Sequence, residues 1–134
     1  MHQLAQLDWL AIIVAAVAAF MVGGVWFGPL FGKAWMAEHG FKEEDFVGQD
    51  TKGIMLKSFL LHIVVVFGLA MLLVGQTSWM VGLHSGLFTA FFLVAASTGI
   101  NFIYEGKSLK LWGIYAGHQV LMYGVAGVVL VLMS

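Results

Sequence analysis

Two histidines lie deep inside long apolar segments, where an imidazole is either a packing residue or a functional group. His62 and His118 are about eight and nine residues from the lysine-bearing ends of their predicted helices. At ~1.5 Å per residue, both side chains lie ~12–14 Å below the same membrane surface. Ionisable groups are costly in hydrocarbon and tend to mark functional positions. This matched depth is the strongest chemical signal in the sequence.

Further polar residues in the last two predicted helices fall at a similar depth or lead outward from it. If the helix faces that carry them point into the bundle, the side chains form one polar layer in its inner half. The predicted layer consists of His62, Ser97, Asn101, Tyr104, Glu105, Tyr115, His118 and Gln119.

Several roles are open for this layer. The simplest is hydrogen bonding between helices, which fixes their register and contributes ~0.6 kcal/mol per contact on average. A second is a proton relay through Glu105 and His118, with His62 as a further member. A third is ligation of haem or a metal by the two histidines, although no carboxylate is placed to orient either ring.

The residue types that most intramembrane enzymes need are missing from the sequence. It has no cysteine, no paired carboxylates in its apolar segments and no His-x-x-x-His spacing. We therefore expect no catalytic residues, no resident metal and no cofactor.

Four apolar runs must position the polar layer. Of all residues 61% are apolar and 10% are charged, and the mean hydropathy is +0.96. The runs cover about residues 8–27, 54–75, 79–104 and 109–133, and each reaches the ~20 residues needed to cross ~30 Å of hydrocarbon. Continuous apolar runs exclude the alternating pattern of a membrane barrel. The sequence predicts an all-α membrane protein, one domain over residues 1–134, with four transmembrane helices in an up-down bundle.

The basic residues give this bundle an orientation. All six are lysines, and with four spans they share one side: Lys33, Lys42, Lys52, Lys57, Lys107 and Lys110. The positive-inside rule makes this side cytoplasmic and places both termini outside, in a bacterial-type inner membrane. No basic stripe suggests nucleic acid as a partner, so the lipid bilayer is the expected environment.

Small residues recur every fourth position in three of the helices, a pattern that lets helices approach closely in lipid. The predicted packing positions are Ala11, Ala15, Ala19, Gly23, Gly82, Gly86, Gly113 and Gly117. These faces offer more packing surface than one protomer needs. We therefore expect self-association or membership of a larger membrane complex.

The segment between the first two spans has its own pattern. Asp8 suits the cap of the first helix, which we expect to end at Gly28-Pro29 because proline cannot supply the next helical N–H. A short amphipathic helix with Phe31 and Trp35 one turn apart should follow at the cytoplasmic interface. We expect His39 to be exposed to solvent.

The same segment carries a family resemblance. Trp26-Phe27-Gly28-Pro29-Leu30-Phe31-Gly32-Lys33-Ala34-Trp35-Met36 resembles the hallmark of a bacterial family, domain of unknown function 1761. The acidic turn at 41–45, Asn101 with the glutamate–glycine element at 104–107, and Gly117-His118 are also similar. The resemblance covers nearly the whole chain and implies four spans. It implies no activity.

Two functions follow as hypotheses. The first is a non-enzymatic structural or accessory membrane subunit that self-associates, because catalytic groups and extramembrane domains are absent from the sequence. The alternative is a small proton-coupled transporter or channel that uses the polar layer around His118 and Glu105. A water-accessible cavity at His118 favours the second hypothesis, and tight packing there favours the first.

Overall fold

The chain is mainly helical in the part that is described. A computed structural model describes residues 7–133, and no strand occurs in that range. Four helices are long and apolar enough to cross a membrane: Trp9–Leu30, Thr51–Leu72, Trp79–Glu105 and Leu109–Met133, here called spans 1 to 4. This confirms the all-α, four-span fold class. A loop helix, Gly32–His39, and a 3₁₀ turn, Glu43–Phe46, connect spans 1 and 2.

Acidic caps define where the first two spans begin. The Asp8 carboxylate accepts a hydrogen bond from the Ala11 amide at 3.2 Å, as the sequence predicts. The Asp50 carboxylate accepts one from the Gly53 amide at 3.1 Å. Span 2 therefore begins at Thr51, earlier than predicted, because the polar Asp50 supplies a cap before the apolar run starts.

Span 1 does not end at Gly28-Pro29, and that prediction is wrong. Trp26–Leu30 continues the helix as a π-helical turn, closed by the Phe31 amide donating to the Trp26 carbonyl at 2.7 Å. The wider turn accommodates a proline ring that would press on the preceding carbonyl in an α-helix. A second π-helical stretch, Thr89–Ala95, interrupts span 3.

Span 4 is the central helix of the bundle. It packs along much of its length against span 3 and against span 1, while span 2 packs mainly on span 1. Spans 2 and 3 make no more than marginal contact with each other. The four helices thus leave a groove between spans 2 and 3, with span 4 as its floor.

The apolar core lies in the half of the bundle remote from the lysines. It combines the start of span 1 with the ends of spans 2 and 4: Ala11, Ile12, Ala15, Ala16, Val66, Leu69, Ala70, Leu73, Ala126, Leu130 and Val131. The predicted packing residues Ala11, Ala15 and Ala19 are each no more than 1% exposed. Small side chains allow this close approach.

Glycines bring spans 3 and 4 together at the same end. A side chain at Gly82 would overlap the Gly127 backbone, and one at Gly86 would overlap the Tyr123 backbone. Nearer the lysines, Gly117 instead receives the ring of Trp26, whose nearest atom would lie 2.7 Å from a Cβ atom at position 117. Another predicted packing glycine, Gly113, has nothing within 4 Å of that position, so it makes no close contact with another helix of this chain.

Candidate functional site

The predicted polar layer divides into an inner and an outer set. His62, Tyr115, His118 and Gln119 line the groove between spans 2 and 3, which has a volume of about 360 Å³. A second opening of about 280 Å³, between spans 1, 2 and 4, reaches the same two histidines. These four side chains are the ones that the structure brings together.

The outer set faces away from the bundle. Ser97, Asn101 and Tyr104 are exposed along one side of span 3, and Tyr104 is 87% exposed. Glu105 is also exposed, and its carboxylate lies 3.4 Å from the Lys107 ammonium. The prediction that these four residues join the inner layer is wrong.

The π-helical stretch explains this outward turn. Buried positions on span 3 follow a spacing of four at Gly82, Gly86 and Ala90, but the next one is Ala95, five residues on. A π-turn adds a residue without adding a turn of α-helix, so it rotates everything that follows. An unbroken α-helix would have pointed Asn101 and Glu105 inward.

Span 2 contributes His62 to the groove in a defined tautomer. Its Nδ1 lies 2.7 Å from the Ser58 carbonyl oxygen, which only accepts hydrogen bonds, so Nδ1 carries the proton. In the neutral ring Nε2 is then an acceptor. That atom is buried and has no hydrogen-bond partner among residues 7–133.

Gln119 is fixed by Thr98, a residue outside the predicted set. The Thr98 hydroxyl donates to the Val94 carbonyl at 2.8 Å, so its oxygen is left to accept from the Gln119 amide nitrogen at 3.3 Å. This chain of bonds orients the amide. Gln119 Oε1 is buried and lacks a partner within the described range.

His118 faces His62 across the opening. Its ring centroid lies 4.8 Å from that of Phe27, and Gly23 on span 1 makes room for its Nε2. This Nε2 is also buried without a hydrogen-bond partner in residues 7–133. Three buried polar atoms, on three different side chains around one groove, therefore lack hydrogen-bond partners within residues 7–133.

An aromatic cap lies at the lysine end of the groove. The Tyr115 hydroxyl accepts a hydrogen bond from Trp35 Nε1 at 2.8 Å and lies 3.3 Å from His39 Nε2. Glu38, on the same loop helix, accepts from the Ser108 hydroxyl at 2.8 Å and lies 3.7 Å from the Lys110 ammonium. The loop helix is thereby attached to the first turns of span 4.

His39 is half-buried in this cap, so the prediction that it is exposed is wrong. Its ring stacks on Phe41 at 4.7 Å and contacts Trp35. Burial lowers the pKa of His39 below its ordinary value, and the positive charge of Lys107 lowers it further. Sequence reasoning missed the cap, although Trp35 and His39 share one helix face by their spacing of four.

The groove presents uncharged hydrogen-bonding side chains in apolar surroundings. Within residues 7–133 no group of three or more His, Asp or Glu side chains is placed to hold a metal ion. No lysine, aspartate or glutamate lines the groove. What it offers a ligand is a set of hydrogen-bonding atoms set in apolar and aromatic walls.

Comparison with known proteins agrees with the family resemblance. Neither a curated protein nor a solved structure matches the chain. A family model described as protein of unknown function (DUF1761) matches residues 10–131. The chain therefore belongs to the DUF1761 family.

Proposed function

We propose that this protein is a small, non-enzymatic carrier of the inner membrane that binds a ligand in the groove between spans 2, 3 and 4. One observation carries the proposal. His62 Nε2, His118 Nε2 and Gln119 Oε1 are buried around the groove, and none has a hydrogen-bond partner within the described chain.

The cost of such atoms supports a use for them. A buried polar group without a partner costs ~1–3 kcal/mol in proteins. Lipid tails cannot supply a partner, so one must come from water or from a ligand in the groove. Apolar residues of similar size would remove that cost. Polar residues at the membrane interior are therefore expected where a ligand completes their hydrogen bonds.

The two imidazoles provide a link between ligand binding and protons. Protonation of His62 converts its Nε2 from an acceptor into a donor. Protonation of His118 makes both of its ring nitrogens donors, so either event changes what the ligand must offer. The other titratable groups along the groove are the Tyr115 and Tyr123 phenols on span 4, and spans 1 and 3 present none there. Glu105 has no part in this proposal, because its carboxylate is ion-paired at the surface.

The natural absence of cysteine permits a direct test. We would introduce Ser58→Cys, which lines the groove, and Ser97→Cys, which lies on the outer face of span 3, into proteoliposome-embedded protein. Thiols react as thiolates and so need water or polar surroundings. We expect a small thiosulfonate reagent added on the lysine side to label S58C at least tenfold faster than S97C.

Equal labelling of the two variants would show a groove without water and would contradict the carrier. Addition of His118→Ala to S58C tests the proton link. With His118 intact, we expect the labelling rate of S58C to change between pH 7.5 and 4 beyond the ordinary effect of thiol ionisation. This additional pH dependence of the labelling rate should be lost in the double variant. If it persists, a group other than His118 causes it.

The labelled side also tests orientation. We propose that the lysines face the cytoplasm and both termini face outward, since all six lysines lie at one end of the bundle. In inverted inner-membrane vesicles, an impermeant reagent should then reach a cysteine placed at Lys42 but not one placed at Gln76. The reverse pattern would overturn the orientation.

A second candidate function is an accessory subunit that self-associates. It is favoured by the outward polar face of Ser97, Asn101 and Tyr104, since lipid tails cannot hydrogen-bond to it. Native mass spectrometry in mild detergent should then give a multiple of the 14.6 kDa chain. Asn101→Leu should reduce that multiple to a monomer. A wild-type monomer without a co-purifying partner would count against this function.

A further inference from the structure

We infer that the ligand of the groove is an uncharged, membrane-soluble molecule with a hydroxyl group, such as a phenol, and that it enters from the bilayer between spans 2 and 3. The inference rests on the proposed function, because it names the ligand class of the same site. It follows from the hydrogen-bonding capacity of the groove, its charge and its opening.

The hydrogen-bonding capacity favours a ligand that donates. His62 Nε2 is an acceptor because Nδ1 donates to the Ser58 carbonyl. Gln119 Oε1 is an acceptor, and the amide cannot turn because its nitrogen is held by Thr98. Two fixed acceptors therefore face the groove. A ligand with only carbonyl or ether oxygens would leave both atoms unsatisfied.

The charge of the groove favours a neutral ligand. No carboxylate or ammonium lines it, and its walls include Phe27, Leu61, Val65, Val94 and Met122. A charged ligand would lose its hydration without gaining an ion pair. An apolar or aromatic body fits these walls, with the hydroxyl group directed at the histidine and glutamine side chains.

The opening of the groove indicates how the ligand arrives. Spans 2 and 3 have only marginal contact, so the groove opens sideways toward the lipid. The Tyr115 cap, held by Trp35 and His39, lies at its lysine end. Entry from the bilayer therefore avoids the cap, whereas a molecule that moves toward the lysine side must pass beside it.

The volume of about 360 Å³ lies at the lower end of the range for small-molecule sites. It accommodates a single ring with a short tail rather than a whole phospholipid. A π-helical turn lies on each side of the groove, contributing Phe27 and Val94 to its wall. Such turns are frequent at functional sites.

The test uses two ligands that differ only in the donor. We would titrate the full chain in lipid nanodiscs with 4-pentylphenol and with its methyl ether, 4-pentylanisole, and measure binding by isothermal titration calorimetry. Because a good hydrogen bond to a buried acceptor is worth about tenfold in affinity or more, the phenol should bind at least tenfold more tightly than the ether. Equal affinities, or no binding of the phenol, would overturn the inference.

Substitutions of groove residues test whether the preference for the phenol over the ether arises in the groove. Gln119→Leu should reduce the preference for the phenol to less than threefold, and His62→Leu should do the same. Gln76→Leu makes the same change in an exposed connecting segment and should leave the preference unchanged. A preference that survives both groove variants would place the phenol elsewhere and contradict the inference.

Protection of S58C separates this inference from the proposed function. If S58C is labelled rapidly but neither ligand slows the labelling, a water-accessible groove remains while the phenol class is wrong. If S58C is as unreactive as S97C, the carrier itself is wrong. Protection by the phenol and not by the ether supports both.

Discussion

The two halves of this bundle are held together by different means. In the half remote from the lysines, the helices meet through alanines and glycines, and the backbones of Gly82 and Gly127 are in direct contact. In the lysine half, indole rings fill the space between helices, with Trp26 lying on Gly117 and Trp112 on Gly99. Close contact at one end and bulky rings at the other leave room for a groove only in the lysine half.

Hydrogen bonding follows the same division. Trp26 donates to the Ile114 carbonyl at 2.9 Å and Trp112 to the Ala95 carbonyl at 2.8 Å, so span 4 is bonded to both neighbours near the groove. The apolar core has no buried polar side chain within the described residues. The comparison indicates that stability is concentrated in one half, while the groups available to a ligand are concentrated in the other.

The largest effect should come from breaking the close contact. Gly127→Ala places a methyl group where the Gly82 carbonyl lies, so spans 3 and 4 must separate. We expect a loss of ~3 kcal/mol or more, or failure to fold, because overpacking against backbone cannot be relieved by a side-chain rotation. Thermal unfolding in detergent measures it. Gly113→Ala, on the same helix but in open space, should be neutral or slightly stabilising.

A smaller effect should come from the cap. Tyr115→Phe removes the hydroxyl that accepts from Trp35 and contacts His39. Loss of this acceptor should cost ~1–2 kcal/mol and increase amide hydrogen exchange in residues 32–46. Tyr104→Phe makes the same change on the exposed face of span 3 and should shift stability by less than ~0.5 kcal/mol. Similar effects of the two variants would contradict a structural cap.

Acidification should loosen the cap without affecting the apolar core. The pKa of His39 is lowered in the folded protein by burial and by Lys107, so its stabilising contribution is complete above its ordinary pKa. That contribution is lost as pH falls below ~6.5, the unperturbed value for histidine. Hydrogen exchange in residues 32–46 should therefore rise between pH 7.5 and 5.5, after correction for the intrinsic exchange rate.

The variant His39→Gln cannot titrate at this position and should show little of that rise. The core segment 66–73 serves as an internal reference, since no titratable residue lies within it. An equal acid response in wild type and H39Q would assign the change to another group.

The smallest effect is expected at Glu105. Its carboxylate is exposed and paired with Lys107, and exposed ion pairs contribute ~0–1 kcal/mol. Glu105→Gln should leave the melting temperature and the labelling rate of S58C nearly unchanged. A large change in S58C labelling would restore Glu105 to the proton pathway and contradict the division of the polar layer described here.

Sequence patterns were sufficient for the all-α, four-span fold class and for half of the polar layer. Hydropathy located all four spans, and small-residue spacing located the contacts of Ala11, Ala15 and Gly82. They failed where helix geometry departs from an ideal period. Extrapolating a spacing of four across Thr89–Ala95 placed Asn101 and Glu105 inside the bundle, and a proline at 29 predicted a helix end that a π-turn avoids.

The cap and the groove depended on tertiary contacts that no local pattern contains. Tyr115 is 80 residues from Trp35 and 76 from His39 along the chain. The weak contact between spans 2 and 3 is likewise a property of how four helices pack, since their hydropathy resembles that of the other spans. The depth of a residue along its helix can be predicted from the sequence. The direction in which its side chain points around the helix axis depends on the local helix geometry.

The extra residue in Thr89–Ala95 gives span 3 one place where a change of length preserves the helix faces. Removing one residue from this stretch should let it form a uniform α-helix, while the following ten residues, Ala96–Glu105, keep their present faces and Phe102 stays in the protein interior. Removing one residue from the regular helix Ala96–Glu105 should instead turn the residues beyond it by ~100° about the axis. The effect of a single-codon deletion in span 3 therefore depends on whether it falls inside or outside the π-helical stretch.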